Sequence, residues 1–213
     1  MSPSLLPEGR HTLTAWAYQI GPGRYYQHAY QHIAEAIGLD AGAFLDVGCG
    51  PGWLAIYVAA GHPELDAIGI DRSPTMLTFA NRNKGPRLNV TFREMDATAI
   101  VYPPGTFDTA AAVQAAHHWD DPALVLAEVH RVLKPGGRFY LYEADSEATT
   151  VPAGWITRQG FWPPDAVVLR GWQRFGMDTE RWEALKLVVR QSPFGGGEDG
   201  RHGFYRRLVL HKQ

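Results

Sequence analysis

The sequence predicts an α/β domain built on an open, doubly wound, mostly parallel sheet with helices on both faces. Three observations carry this. Short apolar runs alternate with helical patterns between residues 43 and 143. A glycine-rich turn, Gly48-Cys49-Gly50-Pro51-Gly52, joins an apolar strand to a helix. Acidic residues then recur where successive strands end, at Asp71 and Asp96, on the sheet edge where such folds hold ligands.

Taken in order, residues 25–37 read as an amphipathic helix, with Tyr26, Tyr30 and Ile33 on one face. Ala43 to Val47 is the first strand. Trp53 to Ala60 is a helix stopped by Gly61-His62-Pro63. Ala67 to Ile70 is the second strand. Ser73 caps the next helix, with Pro74 at its first position. Asn89 to Arg93 and Phe107 to Val113 are the third and fourth strands. Asp121-Pro122 opens another helix by the same logic. Lys134-Pro135-Gly136-Gly137 ends it and turns the chain into a fifth strand, Arg138 to Glu143. Residues 146–177 break the pattern: they concentrate Trp155, Phe161, Trp162, Trp172 and Phe175 among three prolines. A helix resumes near Asp178 and runs to about Arg190, and glycines 195–197 lead to a final strand, Phe204 to Leu210.

At 213 residues, 45% hydrophobic and 20% charged, the chain fits one ordinary globular domain. A formal net charge of −2 gives no footprint for a nucleic-acid backbone, so no nucleic-acid partner is expected. The locally basic Arg201, Arg206, Arg207 and Lys212 read as a solvated strand face. A lone cysteine, Cys49, excludes an intrachain disulfide and a cysteine-rich zinc site. No signal-peptide pattern is visible, and no apolar run approaches the ~20 residues of a membrane-spanning helix. The expected location is the cytoplasm, without membrane insertion. Composition leaves the oligomeric state open.

The glycine turn has two readings. Dinucleotide enzymes use G-x-G-x-x-G to seat a phosphate on a helix N-terminus. Here the third glycine, Gly52, comes one residue early, and Trp53 stands where that fingerprint needs a small residue. Asp46, just before the turn, suits an ammonium group. Asp71, nineteen residues after Gly52, suits a ribose diol. Asp96 and the Ala97 N–H suit an adenine edge. This order fits an amino acid joined to a nucleoside better than a pyrophosphate. Each aspartate also has a plainer reading as a cap of the helix or turn that follows.

Residues 44–145 resemble the class I S-adenosylmethionine-dependent methyltransferases, in the small-molecule branch that includes quinone-biosynthesis enzymes. The resemblance rests on Asp46-Val47-Gly48-Cys49-Gly50-Pro51-Gly52, Gly69-Ile70-Asp71, Met95-Asp96-Ala97, Phe107-Asp108, Ala116-His117-His118-Trp119 and Leu133-Lys134-Pro135-Gly136-Gly137. It implies a Rossmann-like sheet of seven strands whose last strand is inserted antiparallel beside the fifth. It also implies a short strand near Gln191-Ser192-Pro193-Phe194. One domain, 1–213, then divides into an N-terminal helical cap or lid (1–40), a cofactor-binding core (41–145), an aromatic-rich insertion on the substrate side (146–177) and a closing helix with strands (178–213).

The resemblance further implies S-adenosylmethionine as cofactor, leaving S-adenosylhomocysteine as product. Asp46, Gly48 and Gly50 would line its methionine part, with Cys49 a small filler of the turn. Asp71 would hold the ribose, Arg72 and Met76 would lie near the adenine, and Asp96 and Ala97 would complete that pocket. Gln114 would lie beside the cofactor. The partner is then a small, partly apolar or aromatic methyl acceptor with an O, N, S or C nucleophile.

A hydroxyl or protonated amine needs a base for this reaction, and His118 is favoured over His117 for that role, against the plainer reading that both only shape the pocket. Asp120, Asp121 and Asp145 offer oxygen ligands for a divalent cation, but Asp121 is already the cap before Pro122, so no metal is expected. The acceptor pocket is expected from the aromatic front and insertion: Tyr18, Arg24, Tyr25, His117, Trp119 and Trp155, with Tyr18, Arg24 and Tyr25 flanking Gly21-Pro22-Gly23 as a lid. Tyr26 and Tyr30 read as core. Two rival readings stay open: an NAD(P)-binding oxidoreductase, and a module that binds S-adenosylmethionine without catalysis.

Overall fold

The computed structural model describes residues 25–87 and 89–213. Its centre is strand β1 (Gly42–Val47), in which Phe44, Leu45 and Val47 are fully buried. A strand covered on both faces reads as a continuous apolar run, the mark of a parallel sheet sandwiched between helices. β2 (Leu65–Asp71) and β4 (Phe107–Val113) flank it in parallel, and β3 (Val90–Glu94) lies outside β2. β5 (Leu133–Ala144) continues on the far side of β4, with an irregular register between Phe107 and Thr109. The seven strands lie in the order β3-β2-β1-β4-β5-β7-β6. The chain therefore reverses its direction of travel between β1 and β4, which opens a crevice beyond their carboxyl ends.

Helices cover both faces. On one side α1 (Gln27–Ile37), α2 (Trp53–Ala59), α3 (Pro74–Lys84) and α5 (Asp165–Phe175) pack around Phe44, Phe92 and Tyr142. On the other, α4 (Pro122–Val132) and α6 (Thr179–Gln191) pack around Leu45, Phe107 and Leu141. Both proline-headed helices start as their sequences require. Ser73 Oγ accepts from Met76 N at 3.3 Å, and Asp121 Oδ1 accepts from Leu124 N at 2.9 Å. Asp178 does the same for α6, accepting from Arg181 N at 2.8 Å. At the amino edge of the sheet, Lys134 Nζ holds both carboxylate oxygens of Asp108, at 2.7 and 2.8 Å, and so fixes the turn into β5.

The closing strands partly depart from expectation. β7 (Tyr205–His211) runs antiparallel beside β5, from Arg138 opposite His211 to Ala144 opposite Tyr205, as the resemblance implies. The sixth strand is not at 191–194. Residue 191 ends α6, and Ser192 Oγ accepts from Phe194 N and donates to Val189 O, a helix-end turn. β6 is Glu198–His202, beyond the glycines, and pairs only with β7. Such an edge strand carries polar residues on both faces and leaves no apolar alternation to read. The insertion also contains a full helix, α5, with Val168 and Trp172 buried in the core.

Candidate active site

The crevice is built from strand ends. The glycine turn follows β1, and its Gly48 and Cys49 N–H groups both donate to Ile70 O at 2.9 Å, which ties it to β2. Two of its glycines do different work. A Cβ on Gly52 would run into the Phe92 ring and come within 2.9 Å of Ala80 Cβ, so this residue lets α2 pack. A Cβ on Gly50 would meet nothing within 4 Å, and the backbone there has φ +50°. Gly50 therefore borders open space that a ligand can approach closely. Cys49 is buried, and burial together with Asp46 and Asp71 pushes its thiol well above the ordinary range, which fits a filler rather than a nucleophile.

Asp46 is only 2% exposed, and among the described residues its carboxylate accepts one hydrogen bond, from Ala55 N at 3.2 Å. Burial, with a further push from Asp71, raises its pKa from 3.8 to about 7. A buried carboxylate with no cation beside it among the described residues is the group that an ammonium ligand would relieve. Asp71 accepts from Gly50 N and Ser73 N, both at 2.8 Å and one on each oxygen. Each oxygen has a second acceptor position, so both remain able to take a ribose hydroxyl. Burial raises its pKa as well. The turn, the open space over Gly50 and these two carboxylates fit the amino-acid and sugar parts of S-adenosylmethionine.

Asp96 stands apart from this pair. It is exposed, and its Oδ1 accepts from the Thr98 N–H and hydroxyl, both at 2.8 Å, which holds its pKa low. Its other oxygen makes no protein hydrogen bond among the described residues. Met95, Ala97 and Trp119 are partly buried and each packs against the core on the α4–α6 side of the sheet. Met76 is half-buried in the first turn of α3. Arg72, after β2, reaches across to Asp120, after β4, at 3.2 Å; both are largely exposed. Asp121 is a cap and Asp145 is held by Arg201 and Arg206. Among the described residues no three metal-ligating side chains converge.

Beyond β4 the structure joins the expected Gln114, His117 and His118 to a residue that the sequence reading missed, Glu143. Gln114 has φ +54°, the one non-glycine residue with positive φ among those described. Its N–H donates to Tyr142 O and its side chain to the Tyr205 hydroxyl, both at 2.8 Å. The next turn, Ala116–His118, lies over Glu143 at the end of β5. Glu143 is 1% exposed and accepts from Ala116 N at 2.7 Å, from His117 N at 3.3 Å and from His117 Nδ1 at 2.8 Å. Among the described residues His118 has no such carboxylate partner. Its ring centroid lies 4.0 Å from that of His117. Desolvation by the surrounding atoms, and then His117, push its pKa down. His118 is otherwise exposed to solvent.

Of the expected acceptor residues, Tyr18 and Arg24 lie outside the described residues. Tyr25 is half-buried; its carbonyl accepts from Thr157 N and its hydroxyl from Trp162 Nε1, both at 2.7 Å. Trp155 packs between His32 and His202, at 4.8 and 4.9 Å, and against Phe204 and Tyr205. Its indole thus fastens the insertion to α1 and the last two strands. Two surface cavities, of about 180 and 350 Å³, lie beside β6–β7 and at the amino edge of the sheet, away from the glycine turn.

Residues 45–141 match the family model described as a methyltransferase domain. The demethylmenaquinone methyltransferase of Deinococcus radiodurans is 33% identical over 144 residues, 67% of this chain and 58% of its own length. The ubiquinone biosynthesis O-methyltransferase of Methylococcus capsulatus is 37% identical over 112 residues, 52% and 46% of the two chains. The chain thus spans about half the length of the curated relatives it matches. A solved SAM-dependent methyltransferase from Aquifex aeolicus superposes with a TM-score of 0.67 at 20% identity, covering 95% of this chain and 98% of that one, a likeness of fold. Residues 45–141 thus carry a methyltransferase domain, and the fold around it is the Rossmann-like one of solved S-adenosylmethionine-dependent methyltransferases.

Proposed function

We propose that the protein transfers a methyl group from S-adenosylmethionine to a hydroxylated aromatic ring of the quinol or phenol class. The observation that carries the reading is the Glu143–His117 pair at the carboxyl edge of the sheet. A phenolic nucleophile must lose a proton, and the pair supplies a base held in one orientation. The names of the two quinone-pathway relatives support the acceptor class. A small-molecule acceptor without nucleic acid, and a cytoplasmic location, belong to the same proposal. Among the described residues no helix is long and apolar enough to cross a membrane.

Asp46 and Asp71 would hold the donor's ammonium and ribose, with Gly50 admitting its backbone closely. Once bound, S-adenosylmethionine supplies a methyl already activated on a sulfonium. Everything else is alignment and proton handling by the protein. The Glu143 carboxylate accepts from Nδ1–H of His117, which leaves Nε2 of that ring as the proton acceptor. His118, held neutral, adds no second charge when His117 takes the proton. Trp119 and the His117–His118 turn wall the crevice where alignment of nucleophile and methyl lowers the barrier.

The test is methyl transfer from labelled donor to a panel of quinols, phenols, amines and thiols. The reading expects labelled product from the hydroxylated rings and its loss in His117→Ala. Turnover only with amines or thiols, or an undiminished His117→Ala, would remove it. Titration with NADH and with S-adenosylhomocysteine separates it from the oxidoreductase alternative.

A further inference from the structure

The insertion presents a surface that the crevice does not use. Phe161 is 97% exposed at its tip, and Trp162 beside it is 51% exposed. The following helix, α5, buries Val168 and Trp172 and turns Val167, Arg170 and Arg174 outward. Phe175 ends it, 68% exposed, with the Arg174 guanidinium 5.5 Å from the centre of its ring. Among the described residues neither Arg170 nor Arg174 has a carboxylate within ion-pair distance, whereas Arg158, closer to the tip, is paired with Asp165. On a chain of net charge −2, the insertion thus exposes aromatic rings at its tip and at the end of α5, with two guanidinium groups on the outward face of that helix that have no carboxylate partner among the described residues.

We propose that the insertion docks on a bilayer surface carrying anionic headgroups, with Phe161 and Trp162 seated at headgroup depth and Arg170 and Arg174 on lipid phosphates. Aromatic rings favour that depth, and unpaired basic side chains are attracted to the surface potential of anionic lipids. The Trp162 indole already has its N–H satisfied by the Tyr25 hydroxyl, so it brings no unpaired donor into the interface. A second protein is a poorer occupant. The exposed guanidinium groups match lipid phosphates, and the experiment separates self-association from docking. The inference rests on the proposed function and deepens it: the acceptor is a ring dissolved in lipid, collected where the insertion meets the membrane. Docking of this kind is peripheral and involves no spanning segment.

The experiment is cosedimentation of the full chain with phosphatidylcholine vesicles containing about one-third phosphatidylglycerol, and with phosphatidylcholine alone. The protein is expected to pellet with the anionic vesicles, and far less with the neutral ones. Binding should weaken in about 1 M salt, where the screening length falls to ~3 Å. Phe161→Ser should lower the apparent affinity by about tenfold or more, and the Arg170→Glu/Arg174→Glu pair should remove the preference for anionic lipid. Equal binding by Phe161→Ser, or no pelleting of the wild-type chain, would overturn the proposal. So would concentration-dependent self-association that Phe161→Ser abolishes while vesicles bind nothing. S-adenosylhomocysteine titration and the acceptor panel, run without vesicles on the same preparations, keep the two readings apart. Intact donor-product binding and ring methylation without vesicle binding would sink only the docking.

Discussion

Glu143→Gln isolates the proton-handling half of the proposed mechanism. The carboxylate is 1% exposed and accepts three hydrogen bonds, two from the backbone of Ala116 and His117 and one from His117 Nδ1. Glutamine keeps the size and one oxygen, which can still serve the two backbone donors. Its amide nitrogen then faces Nδ1 and donates instead of accepting. The imidazole must respond by carrying its proton on Nε2, the position that has to be empty in a base. A charge-assisted hydrogen bond is worth about 1.5–3 kcal/mol, so kcat should fall by roughly 10- to 150-fold. KM for the donor should stay put, because Asp46, Gly50 and Asp71 are untouched. His117→Ala should cost more, about 10²- to 10⁴-fold. His118→Ala should cost far less. The assay is initial-rate methyl transfer across pH with saturating donor, alongside calorimetric titration of S-adenosylhomocysteine. Unchanged kcat in Glu143→Gln, or a fall matched by an equal loss of product affinity, would refute the reasoning.

The other predictions concern the cofactor side. Gly52→Ala must displace the Phe92 ring and Ala80 and should cost about 1–3 kcal/mol by overpacking, read as a lower Tm. Gly50→Ala meets open space and should cost only about 1–2 kcal/mol for its positive φ, yet should weaken S-adenosylhomocysteine binding far more than Gly52→Ala does. Asp46→Asn should stabilise the unliganded protein at high pH. The folded pKa of about 7 lies above the ordinary 3.8, so Asp46 favours folding below 3.8 and loses that contribution as the pH rises toward 7. The gain from Asn is therefore absent near pH 3.8 and reaches at most about 4 kcal/mol above pH 7. It should come with weaker donor binding, seen by thermal melts and calorimetry at both pH values. Excess chelator should leave turnover unchanged, because Asp120, Asp121 and Asp145 are engaged by Arg72, by the Leu124 N–H and by Arg206.

The parts of this fold that were legible in the sequence are those with a local physical signature. The central strands show as apolar runs because both their faces are covered, and the edge strand β3 shows by its buried Val90 and Phe92. Two helices announce themselves through Ser73-Pro74 and Asp121-Pro122, whose caps form as the residue types require. The glycine turn is legible because its conformation excludes side chains. β6 was not, because its residues, Glu198 to His202, lie at the sheet edge and bury none of their side chains fully. The helix in the insertion hid among prolines and tryptophans, although Pro164-Asp165 before Val168 and Trp172 is a start signal followed by a one-turn repeat. The partner of His117 was invisible for a different reason. Glu143 lies 26 residues away, and only the pairing of Val113 with Tyr142 brings the two strand ends level. Laying the ends of neighbouring strands side by side is the operation that would have found it.

The unfavourable features of the molecule gather at one edge, and that clustering is itself an argument about function. Gln114 holds a left-handed backbone that costs a non-glycine residue about 1–2 kcal/mol, and its hydrogen bonds to Tyr142 and Tyr205 keep it there. Among the described residues Asp46 is buried with no cation beside it, and His118 is partly desolvated beside a second imidazole. None of these helps the fold stand. All follow from parallel strands delivering their last residues to the same side of the sheet, and from β7 running backwards so that Tyr205 starts where Gln114 ends. Strain and burial that persist at one place are expected where a ligand completes the electrostatics. On that argument the donor is a missing structural partner as well as a substrate. Its binding should raise the melting temperature more at pH 8 than at pH 5, since only the ionised Asp46 needs the ammonium, and a pH-independent shift would break the link between the buried carboxylate and the cofactor.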